Sequence, residues 1–191
     1  MEGKMDLSEQ LVGSKVILKK YPTTFEWAEE LLSITKKNYS HLVPWMNWAF
    51  FLKEGSVEDE YEFLKMCADD WEAKSHFEFG IYSIETGEFL GGIGLIKLAP
   101  SCDKKAEIGY WLTKKACGKG YMQEAVSLIE GFAFDLGYNR IVIRNEVTNL
   151  SSKKVALSLG YQFEGVERKG HFCASENEFV DINVFSKLKG E

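Results

Sequence analysis

The stretch Glu107 to Ala125, EIGYWLTKKACGKGYMQEA, constrains this chain more than any other. Its period changes in the middle. From Lys104 to Leu112 the residues alternate, with Ala106, Ile108, Tyr110 and Leu112 on one side and Glu107, Gly109 and Trp111 on the other, as in a half-buried strand. From Gly120 onward Met122, Ala125, Val126, Ile129, Phe132, Ala133 and Leu136 fall on one helical stripe that stops at Gly137. A strand therefore runs through a glycine turn directly into a long helix. Backbone amides at such a helix start point outward and carry partial positive charge, so the turn suits a phosphate or pyrophosphate. Gly118 and Gly120 let the backbone approach an anion closely, and Lys115 and Lys119 add charge.

Two familiar phosphate loops fail on residues. A Walker loop needs Lys and then Ser or Thr after its last glycine, where this chain has Tyr121. A dinucleotide fingerprint needs a third glycine, where it has Gln123. An ordinary strand-helix turn remains open on this stretch alone.

The rest of the chain reads as alternating strands and helices. Lys15 to Lys20 is a first strand, and Thr23-Thr24 supplies hydroxyls to cap a helix from Phe25 to Asn38. The aromatic run His41 to Leu52 carries Pro44, which suits the first turn of a short helix. Ser56, with Asp59 and Glu60 close behind, starts a third helix that reaches Ala73. Phe77 to Ile81 and Phe89 to Leu98 form a hairpin across Glu85 to Glu88. After the central strand and helix come a strand from Arg140 to Arg144, a helix from Asn149 ending at Gly160, and strands at Gln162 to Glu167 and Glu178 to Lys187. A polar segment from His171 to Asn177 joins the last two. The strand-helix-strand order requires a parallel neighbour. With 191 residues and no internal repeat, one domain is expected, after a polar N-terminal extension over about residues 1–13.

Charge and composition narrow the partners. A net charge of −6 argues against nucleic acid, which is bound by clustered Lys and Arg, and favours a cationic substrate. No run of about 18 apolar residues or basic-then-apolar leader occurs, so no membrane partner and a cytoplasmic location are expected. Cys67, Cys102, Cys117 and Cys173 lie too far apart for a paired zinc or redox motif, so they read as free thiols and no metal is expected. Cys117 sits at a helix start, where thiol pKa values fall, so redox sensitivity and plain apolar filling both stand.

With these motifs in place, the sequence resembles the GNAT superfamily of N-acetyltransferases from Val16 to about Leu188. The acyl-CoA loop of that superfamily follows Q/R-x-x-G-x-G/A. Here it reads Lys115-Ala116-Cys117-Gly118-Lys119-Gly120, with Lys in place of the first Gln or Arg. Within the superfamily the chain is similar to the Rim-type ribosomal-protein N-terminal serine/alanine acetyltransferases in four ordered places. These are Trp45 to Trp48, Ala106 to Trp111 with Gly118 to Gly120, Asn149 through Ser152, Val155 and Ala156 to Gly160-Tyr161, and Glu164-Gly165.

The resemblance implies an α/β (α+β) fold: a central mixed, mostly antiparallel sheet of about seven strands, splayed at one parallel pair, with helices on both faces. It implies transfer of an acetyl group from acetyl-CoA to a primary amine, with the N-terminal amine of a Ser- or Ala-starting protein as the leading acceptor. A small amine such as a polyamine, amino acid or antibiotic is the alternative, and a non-catalytic CoA sensor is the rival from another class. A homodimer is expected by analogy alone. The cofactor strand and loop would comprise Ile108, Gly109, Tyr110, Trp111, Lys115, Cys117, Gly118, Lys119, Gly120, Tyr121 and Met122, followed by Asn149 and Ser152 on the next helix.

Glu107 is the first candidate to accept the amine proton, against a structural ion pair. Many relatives return a proton to sulfur from a tyrosine where this chain has Ala156; the Rim-type group is similar to this chain in carrying serine at Ser152, one turn earlier, so the resemblance implies Ser152 as the group that hydrogen-bonds the thiol or thiolate, against simple helix capping. His171 is a second acid or base, against a surface histidine, because imidazole titrates near neutrality. Trp45, Trp48 and Phe50 form the acceptor pocket or else belong to the core.

Overall fold

A computed structural model describes residues 9–98 and 101–191. Its strands are β1 (Gln10–Val12), β2 (Val16–Lys20), β3 (His76–Ser83), β4 (Phe89–Lys97), β5 (Lys105–Leu112), β6 (Arg140–Glu146), β7 (Gln162–Cys173) and β8 (Glu178–Leu188). The helices are α1 (Phe25–Lys37), α2 (Tyr39–Leu42), α3 (Asn47–Phe50), α4 (Val57–Ala73), α5 (Tyr121–Asp135) and α6 (Leu150–Ser158). All eight strands form one sheet in the order β1-β2-β3-β4-β5-β6-β8-β7. Every pairing is antiparallel except β5 with β6. The expected mixed, mostly antiparallel sheet is present, one strand larger than the sequence suggested.

Local chemistry explains the helix starts. Thr24 accepts the backbone N–H of Trp27 at the head of α1, and Ser56 and Asp59 exchange a reciprocal capping box at the head of α4. Asn149 accepts the N–H of Ser152 and so begins α6. α5 differs: its first residue follows Gly120, which offers no side-chain cap.

Each face of the sheet has its own cover. The back face, carrying Phe77, Phe79, Ile93, Leu95, Ile108, Ile141, Ile143 and Phe185, packs on the apolar stripe of α5 and on Val155 and Ala156 of α6. Ile129 is wholly buried there, and truncation to alanine would cost about 2–5 kcal/mol through lost burial and a cavity. The front face meets α1 to α4 through Tyr82, Phe89 and Trp111. Strand β4 reads Gly91-Gly92-Ile93-Gly94 because large groups cross it closely. A Cβ at Gly92 would stand 2.6 Å from both the Tyr21 hydroxyl and the Trp111 indole nitrogen.

Three segments depart from the sequence reading. β1 forms within the stretch expected to be a polar extension, residues 1–8 of which lie outside the described residues; its three residues pair with β2. Pro44 sits in the turn between α2 and α3 rather than in a first helical turn. β7 runs on to Cys173, so His171 lies in a strand and not in a polar link. Its continuation past Glu167 escaped notice because this is an edge strand with almost every residue exposed, which leaves no apolar alternation to read. Bulges after Phe163 and Glu167 interrupt its pairing and discourage edge-to-edge association.

Candidate active site

The one parallel pairing among the described residues creates the site. β5 and β6 are joined only at Lys105–Arg140, Ala106–Ile141 and Glu107–Val142. Beyond that point β5 continues along β4 to Leu112 and β6 continues along β8 to Glu146, each held on its other side. The strands diverge into a cleft of about 760 Å³. Glu107 stands at its apex, and Ser152 and His171 line its walls, so the three expected catalytic residues share one space.

The cofactor wall is largely backbone. Ile108 to Leu112 face the cleft without β6 opposite them. Cys117, Gly118, Gly120, Tyr121, Met122 and Asn149 line the same cleft, whereas Lys115 and Lys119 lie around a smaller cavity of about 210 Å³ behind the loop. Gly118 and Gly120 have φ of 78° and 82°, a region that disfavours any residue with a Cβ. A Cβ at Gly118 would meet no protein atom within 4 Å, so the loop is open on the side where a ligand would lie. With no side chain capping α5, its first amides are available to an anion. These features fit the pyrophosphate and pantetheine arm of a coenzyme A ester. The chemistry acetyl-CoA supplies is an activated acetyl thioester.

Lys115 is engaged in an ion pair with Glu88, and Lys119 is exposed. Lys15 joins the loop from β2's approach, unmarked by any local pattern, with its Nζ 3.6 Å from where a Gly120 Cβ would be. Glu124 holds that neighbourhood in place by accepting from the amides of Ser14 and Lys15 and from the Ser14 hydroxyl. Burial acts to raise the Glu124 pKa, but these hydrogen bonds outweigh it and hold the carboxyl below its usual range.

Ser152 has a partner that sequence spacing did not reveal. The Tyr110 hydroxyl lies 2.9 Å from Ser152 Oγ, linking the cofactor strand to α6. Burial pushes the Tyr110 phenol up to about 12, so it stays protonated and able to donate. Asn149 accepts from the Ser152 amide at 3.0 Å and so caps the helix that the sequence starts at this residue.

On the front side Glu107 faces Arg144, with Oε2 3.9 Å from Nη1, and Arg144 also pairs with Glu167. Burial raises the Glu107 pKa, Arg144 opposes that, and Glu167 adds to it; the net direction is upward. Arg144 was legible only indirectly: in RIVIR, Arg140, Val142 and Arg144 share one strand face, an unusual concentration of charge beside a buried run. Glu146 also lines this wall, its pKa raised by burial and by nearby Glu176.

Of the aromatic candidates, Trp45 lines the cleft beside His41 and Met46. Trp48 meets Trp111 at a tilt and Phe50 meets Phe51 edge-on, and neither Trp48 nor Phe50 lines the cleft. Cys117 lies 3.6 Å from His41 Nε2, and burial pushes its thiol pKa up rather than down, against the activation its helix-start position suggested. All four cysteines are free. Among the described residues no cluster of three or more His, Cys, Asp or Glu could hold a metal ion, and no helix is long and apolar enough to cross a membrane.

The family model described as the acetyltransferase (GNAT) domain matches residues 21–162, which span the front helices, the split strands, the glycine loop and α6. The chain belongs to the GNAT acetyltransferase family. It is an acetyl-CoA-dependent N-acetyltransferase, as the cleft geometry and the family together show. Among its relatives is YdaF of Bacillus subtilis (strain 168), to which a ribosomal N-acetyltransferase activity is ascribed. The two are 31% identical over 167 residues, 86% of this chain and 87% of YdaF. The ribosomal-protein-serine acetyltransferase of Escherichia coli (strain K12) is 29% identical over 162 residues, 83% of this chain and 85% of that one. The fold is shared with RimL, an L7/L12 alpha-N-protein acetyltransferase solved with coenzyme A. That likeness has a TM-score of 0.84 at 20% identity and covers 94% of this chain and 98% of RimL. The microcin C7 self-immunity acetyltransferase MccE, solved with acetyl-CoA and AMP, gives a TM-score of 0.83 at 24% identity and covers 97% and 99%.

Proposed function

We propose that this GNAT enzyme acetylates the N-terminal amine of a protein, of the Ser- or Ala-starting kind found on ribosomal proteins. The observation that carries the reading is the placement of Glu107 and Ser152 in one cleft, with Glu107 at the apex of the split and Ser152 on the α6 wall. An incoming ammonium must lose a proton before it can attack, and a thiolate leaving group must gain one. Glu107, with its pKa raised by burial, accepts the first, directly or through a water. Ser152 Oγ, 2.9 Å from the Tyr110 hydroxyl, would donate a hydrogen bond that stabilises the departing thiolate until solvent supplies the second proton. Gly118, Gly120 and the head of α5 hold the phosphates, and the open edge of β5 orients the pantetheine amides. The names of YdaF and the Escherichia coli relative support a ribosomal-protein acceptor, which would place the enzyme in the cytoplasm with ribosomes.

A small polycationic amine is the second reading, favoured by Glu146, which lines the acceptor wall with no salt-bridge partner among the described residues. Acetyl-CoA turnover, followed by thiol release against Ser- and Ala-starting peptides and spermidine, tests both. Peptide turnover with little spermidine turnover is expected, and the reverse selects the small amine.

A further inference from the structure

Asn47 opens α3 and reaches across the mouth of the cleft to the β7–β8 hairpin. Its Oδ1 accepts the backbone N–H of Ala174 at 2.9 Å, and its Nδ2 donates to the carbonyl of Phe172 at 2.6 Å. These two backbone partners fix which end of the amide is oxygen, because the flipped orientation would set donor against donor and acceptor against acceptor. The second Nδ2 hydrogen is left for Nε2 of His171, 3.0 Å away. A ring nitrogen that accepts an amide hydrogen carries none of its own, so the neutral ring bears its proton on Nδ1. No hydrogen bond within the described residues uses that Nδ1 proton, and His171 lines the cleft. What the ring offers a ligand is therefore a donor.

We propose that Asn47 is a positioning residue that locks His171 in its Nδ1–H tautomer, so that His171 orients a carbonyl of the acceptor instead of taking its proton. This rests on the transferase reading and sharpens it. The first carbonyl of a peptide lies two bonds from its terminal amine, within reach of such a donor, whereas a polyamine has no carbonyl to offer. The division of labour is then complete: Glu107 handles the proton and His171 the orientation, with Asn47 tying the front helices to the hairpin that carries His171.

The tautomer can be read without any acceptor. Long-range proton–nitrogen correlation spectra of the full chain near neutral pH distinguish Nδ1–H from Nε2–H, and the His171→Gln variant assigns the signal among the three histidines. Wild type is expected to show Nδ1–H. Asn47→Ala should return His171 to the Nε2–H form that free histidine favours. Asn47→Asp keeps an acceptor for the Ala174 amide but faces Nε2 with a carboxylate oxygen, so it should also impose Nε2–H; backbone amide spectra confirm that both variants fold. Nε2–H in wild type, or a tautomer unchanged in both variants, overturns the proposal. In the kinetic arm, Asn47→Ala should raise KM for a Ser-Ala-starting peptide about tenfold, change kcat by less than about twofold and leave KM for acetyl-CoA unchanged. A fall in kcat at unchanged peptide KM, with loss of a limb of the pH profile in His171→Gln, would make His171 a base and overturn it as well. Failure of the function reading looks different: wild type turns over spermidine and no peptide, whatever the tautomer.

Discussion

The two walls of the cleft are built on opposite plans. The wall proposed for the cofactor comes from nearly contiguous sequence, Ile108 to Met122 with Asn149 to Ser152, and combines an open strand edge, two left-handed glycines and an uncapped helix. The wall proposed for the acceptor is assembled from remote side chains: Asn47 meets His171, 124 positions away, and Arg144 meets both Glu107 and Glu167. The layers behind them differ too. The back core under α5 is apolar, whereas the front layer contains Glu60, whose pKa burial raises to about 7. Recognition by backbone is rigid and indifferent to the acceptor; recognition by side-chain networks is selective and titratable.

Substitutions on each wall should therefore fail in different ways. The largest effect is expected from Gly118→Val. A β-branched residue at φ 78° must distort the loop or put its side chain where the ligand lies, weakening acetyl-CoA binding by about a hundredfold or more in calorimetry, whichever acceptor is used. Glu107→Gln, on the opposite wall, should leave that titration unchanged while lowering kcat/KM by about a hundredfold. It should also flatten the acidic limb of the pH profile, because activity rises with pH as the carboxyl, its pKa raised, loses its proton. Arg144→Ala should move that limb to higher pH, since Arg144 holds the Glu107 pKa down; a limb that stays put would remove Glu107 from the role.

Ser152→Ala comes next, with about a tenfold fall in kcat and little change in KM for acetyl-CoA. A large rise in that KM instead would make Ser152 a binding and capping group. The smallest effect concerns the front layer alone. Glu60 ionises at its usual 4.5 when unfolded but only near 7 when folded, so its contribution to stability declines as pH rises from 4.5 to 7 and stays lost above. Glu60→Gln should raise Tm by a few degrees at pH 8 and by less at pH 5, and equal shifts at both would refute the titration.

What was legible in the sequence follows the same division. The strand-to-helix change at Gly118 to Gly120, the Thr24, Ser56 and Asn149 caps and the apolar stripe of α5 are local patterns, and each stands where its residues indicate. Tyr110 and Ser152 were each readable, but their contact was not, because the distance between β5 and α6 depends on how far the sheet splits. Asn47 lay hidden inside an aromatic run that reads as core. β7 was cut short because an edge strand of exposed residues such as Glu167, Arg168 and Lys169 lacks the alternation that marks a strand.

The split between β5 and β6 also bears on how such a chain changes over generations. Where an extended arm is gripped through main-chain groups of Ile108 to Leu112, most side-chain replacements that keep the strand extended leave the grip in place. Drift can then rework the opposite wall, residue by residue, towards new amines while the donor of the acetyl group stays the same.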